Sequence, residues 1–331
     1  MNSAPDTSPG TRPSNIPSTH PATGLPPEGA PTSRAQGRAM TRGLVIARVG
    51  RTSLHRCWID AGTPRAWDLY LSPYEDIGPQ DDLDCRVGDV IPGPKWTGLG
   101  RLLHAWDGWR DHDPIWLPDD DILASQNEIT RLFETGRALD FQLFAPALHE
   151  RSHYAHFIAM RNASFFARRV GFVEIMVPCF RRATLERLLP TFALSATGWG
   201  FGLDAAWPKL LDHQGLGIVD DVPVVHTRPV GTFKDPGLRR RVLQESDDIL
   251  ARFDCEQRLV TFAGIGPDLQ DARLTPEELL AALVRGWQYL FERDAKALRF
   301  CFEQQRGLLP ASPYPVAGLP SGPDARAKAG S

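Results

Sequence analysis

Cysteine is scarce in this chain, and its few residues are widely separated. The five cysteines are Cys57, Cys85, Cys179, Cys255 and Cys301, and no two of them form a C-x-x-C pair. An odd number without a pairing pattern argues against a disulfide framework and against a structural zinc site. The pattern is typical of a protein that is kept in a reducing compartment.

Long apolar runs and a strong excess of one charge are also missing. No run approaches the roughly 20 apolar residues that a membrane span needs, and residues 1–40 contain no hydrophobic segment of a secretory signal. The formal net charge of −3 leaves no basic face for a nucleic acid. We therefore expect a cytoplasmic protein that binds no nucleic acid, has no transmembrane segment and contacts membranes only peripherally.

The two ends of the chain differ in composition from its centre. Residues 1–40 consist mainly of Pro, Ser, Thr, Gly and Ala, and such a segment buries too little surface to offset its ordering entropy, so we expect it to be disordered. An over-extended gene start before Met40 and a flexible tether both explain it, and we favour the first. Residues 307–331 are similarly composed and are expected to form a flexible tail, which leaves one folded domain at 41–306.

Short apolar runs alternate with helical patterns through this domain. Strands are predicted at 44–47, 67–71, 115–117, 141–144, 172–177 and 222–225, and helices at 54–60, 98–109, 125–136, 185–189 and 275–305. Ser125 and Thr275 each precede a glutamate by three residues, the spacing of a capping box. Pro223 suggests an edge or an end of the sheet. The alternation predicts an α/β sandwich.

An acid triplet follows the strand predicted at 115–117. Pro118 ends the strand, and Asp119, Asp120 and Asp121 come directly after it. Three adjacent carboxylates repel one another, and a divalent cation that prefers oxygen ligands would relieve the repulsion. Strand ends of an open α/β sheet are also where such folds bind ligands. The pattern suggests a metal site for a phosphorylated substrate, although a solvated turn with a helix-capping aspartate explains it equally well.

A loop rich in glycine and aromatic residues runs from Gly198 to Asp204, and Trp207 follows it. Its glycines let the backbone approach a ligand closely, and rings such as that of Trp199 offer flat surfaces to a sugar. Asp204 is placed to deprotonate a hydroxyl group as a general base. A tight turn with its aromatic side chains in the core accounts for the same sequence, since the glycines lack the spacing of a dinucleotide-binding loop.

Further residues carry groups that suit a metal ion or a phosphate. His226 follows the strand predicted at 222–225 and would complete the coordination of a cation near the acids, Mn²⁺ more readily than Mg²⁺. Arg228 would then bind phosphate through two hydrogen bonds. Lys95 lies just before the helix predicted at 98–109, where a lysine and a helix N-terminus form a candidate diphosphate site. A structural histidine and a solvated lysine are the alternatives.

Three histidines, His149, His153 and His156, have a spacing that would place them on one face of a helix. Their surroundings look like a loop, so metal binding by the three is the less favoured interpretation. They would instead line a cleft for an acceptor.

Taken together, these segments resemble the glycosyltransferase-like "domain of unknown function" family 707, a group of bacterial and plant proteins. The similarity extends from about residue 44 to residue 231, and its pieces occur in the same order. They are the segments 91–96, 115–121, 172–178, 198–204 and 224–226.

The resemblance implies the GT-A class of nucleotide-sugar-dependent glycosyltransferases, with a Rossmann-type α/β/α sandwich, a mainly parallel central sheet and a single domain. It implies that Asp119 and Asp121 stand in a D-x-D position that holds Mn²⁺ or Mg²⁺ on the donor diphosphate, and that His226 joins the metal. Asp204 would serve as the catalytic base. The donor-side residues would be Lys95, Ala47, Arg48, Asp119, Asp120 and Arg228, and the acceptor or sugar would contact Trp199, Gly200 and Trp207.

We therefore expect a metal-dependent glycosyltransferase that moves a sugar from a nucleotide donor to a hydroxyl group of a glycan, lipid or other acceptor. A non-catalytic carbohydrate- or nucleotide-sugar-binding protein on the same fold is the first alternative. A metal-dependent phosphoryl or nucleotidyl transferase is the second, and it would need another cation roughly 4 Å from the first.

Overall fold

A mixed β-sheet organises the residues that this computed structural model describes, 41–233 and 235–309. The expected disorder of residues 1–40 and the flexible tail at 310–331 lie outside the described residues. The ten strands within the described ranges are β1 (Gly43–Val49), β2 (Trp67–Pro73), β3 (Arg86–Val87), β4 (Ile115–Trp116), β5 (Ile122–Leu123), β6 (Leu143–Leu148), β7 (Ala167–Val170), β8 (Cys179–Phe180), β9 (Leu216–His226) and β10 (Thr261–Ile265).

The strand order across the sheet is β10-β7-β9-β6-β8-β4-β1-β2-β3, and β5 pairs with β9. The two longest ladders, β1 with β2 and β6 with β9, are parallel. Following the pairings from strand to strand, seven of these ten described strands run in one direction, and β5, β7 and β8 run in the other. The carboxyl ends of β1, β4, β6 and β9 therefore lie at the same edge of the sheet.

Helices flank the sheet on both faces. They are α1 (Lys95–Ala105), α2 (Gln126–Ala138), α3 (Arg182–Leu188), α4 (Leu203–Leu210), α5 (Pro236–Phe253), α6 (Pro276–Trp287) and α7 (Ala295–Arg306). All seven residues of β1 are buried, and because successive strand residues point to opposite faces, the sheet is covered on both sides. This mostly parallel sheet with flanking helices confirms the predicted α/β class.

Tryptophan dominates the core. Seven of the nine tryptophans in the chain are essentially fully buried: Trp58, Trp67, Trp96, Trp109, Trp116, Trp207 and Trp287. Trp106 stacks on Tyr70 with a centroid separation of 4.3 Å. Trp106 and Trp199 are the remaining two, and both are only half-buried, so both indoles keep exposed surface.

Both predicted capping boxes are confirmed. The hydroxyl of Ser125 accepts from the backbone N–H of Glu128, and the carboxylate of Glu128 accepts from the N–H of Ser125 at 2.6 Å. Thr275 and Glu278 make the same reciprocal pair at the start of α6. These motifs are decided by residues three positions apart, which is why the sequence alone reveals them.

The strand predicted at 172–177 is wrong, because this buried segment is a loop. Its apolar side chains pack in the core, but its carbonyl groups bond to other parts of the chain and not to a neighbouring strand. Asp119 donates its backbone N–H to the carbonyl of Met176 at 2.9 Å, and Leu117 donates to that of Pro178. The strand in this region is the two-residue β8, which begins at Cys179.

Two further predictions differ from the structure for identifiable reasons. Pro223 lies inside the central strand β9, where a shift in register leaves Val219 opposite Pro146 and Pro223 opposite Ala147; a bulge of this kind tolerates proline. The helix predicted at 275–305 is two helices, since Asp294 caps a new one by accepting from a backbone N–H in the first turn of α7.

The short segments near the start of the domain also differ in detail. The helix predicted at 54–60 is a single 3₁₀ turn, His55–Trp58, and α1 begins at Lys95 rather than at Gly98. Within residues 41–233 and 235–309, no helix combines the length and the apolar character that crossing a membrane requires.

Candidate functional site

The acid triplet forms the turn between β4 and β5, at the sheet edge where β4 and β9 end. The turn continues into β5, whose Ile122 pairs antiparallel with His226 at the end of β9. The backbone N–H and the hydroxyl of Thr227 both donate to the carbonyl of Asp121, the hydroxyl at 2.8 Å. This pairing brings the predicted late histidine to the acids, although more than 100 residues separate them in sequence.

Asp119, Asp121 and His226 converge on one point. Nε2 of His226 lies 3.3 Å from Oδ1 of Asp121 and 3.9 Å from Oδ2 of Asp119, and a ligand atom from each of the three lies within 4.8 Å of the others. On the far side of the ring, Nδ1 is 3.0 Å from the carbonyl oxygen of His153 and donates to it. That hydrogen bond leaves the lone pair of a neutral imidazole on Nε2, facing the carboxylates, as a metal ligand requires.

The charges within this group support one another. Burial alone would raise the pKa of Asp121, but the neighbouring His226 and Arg228 lower it below its ordinary value. Burial alone would lower the pKa of His226, but Asp121 and Asp119 raise it above its ordinary value. A cation is therefore favoured at this position, whether it is a proton on the ring or a metal ion.

The donor set fits a divalent metal ion. Two carboxylate oxygens and one imidazole nitrogen suit Mn²⁺ and are compatible with Mg²⁺. Asp121 and His226 are buried, whereas the side chain of Asp119 is 33% exposed, so an ion here would keep one side open to a substrate oxygen. Among the described residues, this is the only group of three His, Cys, Asp or Glu side chains close enough to hold an ion.

Asp120 turns away from Asp119, Asp121 and His226, the candidate metal ligands that are called the metal group below. Its carboxylate accepts from the hydroxyl of Tyr74 at 2.9 Å and from the guanidinium of Arg228 at 3.1 Å. Arg228 also donates to the carbonyl and hydroxyl oxygens of Thr52. Asp120 and Arg228, which the sequence assigns to the donor diphosphate, therefore also connect the acid turn to the loop that follows β1.

Lys95 makes three hydrogen bonds and is not a solvated lysine. Its Nζ donates to Oδ1 of Asp119 at 2.7 Å and to the carbonyls of Ile175 and Met176 at 2.9 and 3.0 Å. Burial lowers the pKa of Lys95, and the charge of Asp119 partly offsets that effect. The ammonium group orients one carboxylate of the metal group and fixes the loop at 172–177 against it.

Two of the predicted donor-side residues, Ala47 and Arg48, are inside the protein. Ala47 is fully buried in β1. Arg48 is also buried, and its guanidinium donates to the hydroxyl of Ser72 at 2.9 Å and to the carbonyls of Ile91 and Gly93. Arg48 thus fixes the loop that leads into α1 from beneath and has no exposed face for a base.

The glycine-rich loop requires its glycines. Gly198, Gly200 and Gly202 all have φ between 75° and 88°, a left-handed conformation that side chains disfavour. A Cβ on Gly198 would lie 2.8 Å from the hydroxyl oxygen of Thr97, and one on Gly200 would overlap the indole of Trp96. The loop is therefore packed directly against the first turn of α1, next to Lys95.

Glu245 of α5 holds this loop, and nothing in the sequence singled it out. Its carboxylate accepts from the hydroxyls of Ser195 and Thr197, both at 2.8 Å, and from the backbone N–H of Thr197 at 2.7 Å. Ser195 in turn accepts from the N–H of Gly200 at 2.8 Å. Its contacts connect residues 50 positions apart, which local patterns do not reveal.

Asp204 lies in the first turn of α4, directly after the loop, and is buried. Its Oδ1 has no hydrogen-bond partner among the described residues. Burial raises the pKa of Asp204 to about 7, although backbone N–H groups at the start of the helix partly offset that rise. A carboxyl group that exchanges a proton near neutral pH is chemically suited to general base catalysis.

The two tryptophans predicted to contact a sugar lie in different environments. Trp199 is half-buried and packs against the ring of Phe233, with a centroid separation of 4.6 Å. Trp207 is fully buried against Trp96 and Phe180 and donates its ring N–H to a hydroxyl oxygen at 2.9 Å. Trp207 is therefore a core residue without a face for a ligand, as the alternative interpretation of this segment held.

Glu174 is a further buried acid beside the site, and the sequence analysis did not assign it a role. Burial raises the pKa of Glu174 well above its ordinary value, and Asp204 and Asp119 raise it further. Its Oε2 has no partner within the described part of the chain. Since both acids act on its charge, Glu174 is close to Asp119 of the metal group and to Asp204.

The three clustered histidines do not form a metal site. Residues 149–156 contain no helix, so the shared face does not exist. His153 contributes its backbone carbonyl to His226, whereas burial lowers the pKa of His156 to about 4 against the ring of Phe172. Their side chains do not belong to the one metal-binding group found within the described ranges.

Comparison with known proteins gives distant structural similarity and no sequence relative. No protein-family model matches the sequence, and no curated protein matches it significantly, so the resemblance to family 707 stays a prediction. The chain is similar to S. aureus TarS residues 1–349 in complex with UDP at 9% identity, covering 79% of this chain and 75% of that one with a TM-score of 0.42.

Two further structures of the same protein give comparable values. For S. aureus TarS residues 1–349 in complex with UDP-GlcNAc, the identity is 9%, the coverage 79% and 76%, and the TM-score 0.43. For a structure titled S. aureus TarS, the identity is 9%, the coverage 80% and 53%, and the TM-score 0.39. With similarity at this level, the function of the chain has to be inferred from its own residues.

Proposed function

We propose that this protein is a metal-dependent glycosyltransferase that transfers a sugar from a nucleoside diphosphate donor to an acceptor hydroxyl group. The proposal rests chiefly on the convergence of Asp119, Asp121 and His226 at the carboxyl edge of the parallel strands. That edge is where open α/β sheets bind their ligands. A divalent cation held there would stabilise the charge of the departing nucleoside diphosphate.

The glycine-rich loop lies next to this metal group. Lys95 bonds to Asp119, and the next residue, Trp96, donates its backbone N–H to the carbonyl of Gly198 at 3.0 Å. Asp204 then follows the loop at the start of α4. The contacts thus link the metal ligands to the buried acid through a few residues, which supports a single site that contains both.

Asp204 is the proposed general base. With a pKa of about 7 and one oxygen that lacks a hydrogen-bond partner among the described residues, it would accept the proton of the acceptor hydroxyl as the hydroxyl oxygen attacks the sugar. Trp199, with its half-exposed ring, would stack on a sugar, and the backbone at Gly200 would allow the sugar to approach closely. Tyr74 and Arg228 would keep the donor-side loop in place through Asp120.

Nucleoside diphosphate release tests this function. The purified protein would be incubated with a panel of UDP- and GDP-sugars, with and without Mn²⁺, alone and with simple sugar acceptors. We expect release that requires Mn²⁺ and that falls to background in Asp121→Asn. Asp247→Asn, an exposed aspartate on α5, is the matched control and should behave as the wild type does.

Asp204→Asn separates the enzyme from a binding protein. We expect this variant to bind the nucleotide sugar as the wild type does but to lose a factor of about 10²–10⁴ in kcat, the usual contribution of a general base. Nucleotide-sugar binding without turnover in the wild type would instead favour a non-catalytic binding protein. No binding of any nucleotide sugar in the presence of Mn²⁺ would refute both functions.

A further inference from the structure

A cavity lies beside the start of β9, at the edge of the sheet opposite the metal group. It has a volume of about 430 Å³ and is lined by Lys209, His213, Asp254, Cys255, Glu256 and Arg258. These residues come from the end of α4, the turn before β9 and the connection from α5 to β10. Because β9 and β10 run in the same direction, their first residues share the amino-terminal edge of the sheet, whereas the metal group lies beyond the last residue of β9.

The two cationic side chains of this cavity form no ion pair within the described residues; Lys209 is exposed and Arg258 is partly exposed. Within residues 41–233 and 235–309, the Lys209 ammonium makes no hydrogen bond or ion pair, and the guanidinium of Arg258 makes only a contact with the ring of Phe262, 5.0 Å from its centroid. Nδ1 of His213 is buried and likewise lacks a hydrogen-bond partner in the described part of the chain. Buried polar atoms without a partner are uncommon in native proteins and call for an explanation.

The charges of Arg258 and Lys209 both act on the ring of His213. The pKa of His213 is lowered by burial and then by the charges of Arg258 and Lys209, which outweigh the attraction of Asp212. The turn that contains His213 is fixed to α4, because the backbone N–H of His213 donates to the carbonyl of Pro208 at 2.8 Å. Lys209 and His213 both line the cavity, and the charge of Lys209 acts on the His213 ring.

Two acids, Asp254 and Glu256, also line the cavity, but they form no ion pair with these cations in the described residues. A metal site is not indicated, because no three of His213, Cys255, Asp254 and Glu256 bring ligand atoms together as the acids near β4 do. An anion in the cavity would pair with Lys209 and Arg258 beside the ring of His213, whose Nδ1 itself is buried beyond its reach.

We propose that this cavity binds the oxyanion group of a small molecule, a phosphate or a carboxylate, between Lys209, Arg258 and the ring of His213. Arg258 matches such a group through two parallel N–H donors, and Lys209 adds a point charge. The site shares no residue with the metal group or the glycine-rich loop, although Cys255 in its lining lies close enough to Asp204 that burial and the charge of Asp204 both raise the pKa of Cys255.

Histidine NMR of the whole chain tests the proposal. The chain contains nine histidines, and the His213→Gln variant would assign the His213 signal. Inorganic phosphate would be titrated at constant ionic strength with EDTA present, and acetate would be titrated in parallel. We expect a saturable shift of the His213 signal with a dissociation constant of about 1 mM or tighter, and a rise in the pKa of His213 as the anion offsets the two cations.

Matched variants make the result specific. Lys209→Gln and Arg258→Gln should each weaken binding by about tenfold or more, whereas Arg240→Gln, an exposed arginine on α5, should leave it unchanged. Asp121→Asn should also bind normally, which separates this site from the metal group. Tighter binding of phosphate than of acetate would identify a phosphate-bearing ligand, and the reverse a carboxylate. No saturable shift with either anion, or equal affinity in the Lys209 and Arg258 variants, would overturn the proposal.

Discussion

Replacing Asp204 by asparagine should make the protein more stable and less active at the same time. The substitution keeps the shape of the side chain and removes its charge. In the structure this carboxyl group is buried, and one of its oxygens has no hydrogen-bond partner in the described residues. An ionised carboxylate in such a position destabilises the native state, because burial removes its hydration without a full replacement.

The magnitude follows from the pKa of Asp204. Burial raises it from 3.8 to about 7, and one pKa unit corresponds to about 1.36 kcal/mol, so ionising the native carboxyl costs about 4 kcal/mol. The native state binds this proton more tightly than the unfolded chain does. The stability that this bound proton gives the native state is therefore fully present below pH 3.8, and it is lost as the pH rises to about 7.

Urea unfolding at a series of pH values between 4 and 9 measures this difference. We expect Asp204→Asn to be more stable than the wild type by about 4 kcal/mol at pH 8, and nearly equal to it at pH 4. Metal ions would be removed with EDTA, since binding to the native state adds stability of its own. Asp247→Asn again serves as the exposed control and should show no such pH dependence.

The activity of the wild type should rise with pH, whereas the stability that the Asp204 proton gives it falls. A base must be deprotonated to act, so kcat of the wild type should rise with pH through about 7. A stability difference between wild type and Asp204→Asn that does not depend on pH would refute the reasoning. A variant that is less stable than the wild type at pH 8 would refute it as well, because the carboxylate would then have partners that stabilise it.

Three other substitutions test the surroundings of the site. Asp220→Ala removes the carboxylate that pairs with the fully buried guanidinium of Arg168. We expect the free energy of unfolding in urea to fall by about 3–5 kcal/mol. An unchanged value would contradict the importance of that ion pair. Glu245→Gln removes the charge that binds three donors of residues 195–197, so kcat in the nucleotide-release assay should fall about tenfold while stability drops by only about 1–2 kcal/mol; normal kcat would mean that the loop position does not matter. Gly200→Ala places a Cβ against the indole in the first turn of α1 at a φ of 80° and should cost about 2 kcal/mol or more in thermal unfolding, whereas a neutral effect would show that the loop relaxes freely.

Local patterns account for what the sequence revealed about the fold. The capping boxes at Ser125 and Thr275 involve residues three positions apart, and the strands β1 and β2 consist mostly of apolar residues, so each signal is complete within its own segment. The apolar run at 172–177 carried the same signal but forms a buried loop. What decides its conformation is the set of distant donors at Leu117, Asp119 and Lys95, which no local pattern contains.

The residues of the candidate site also fall into those that the sequence predicts and those that it does not. Asp119, Asp121 and His226 could be expected to meet because acids and a histidine follow strand ends, and strand ends of a parallel sheet share an edge. The positions of Glu245 and Glu174 beside the site could not be expected, since each depends on groups that lie about 30 residues or more away in the sequence. Trp199 and Trp207 belong to the same segment rich in glycine and aromatic residues, and the sequence does not distinguish their environments. Only the packing shows that the ring of Trp199 is half-exposed and that of Trp207 is buried.

Mn²⁺ binding followed by electron paramagnetic resonance is the most direct test of the metal site at the centre of this proposal. The signal of free Mn²⁺ would be measured with the wild type, with Asp121→Asn and His226→Gln, and with Asp120→Asn as a control from the same turn. We expect the wild type and Asp120→Asn to bind within a few-fold of each other, and the other two variants to bind at least about 100-fold more weakly. Equal Mn²⁺ affinity in all four proteins would contradict a metal site formed by Asp119, Asp121 and His226.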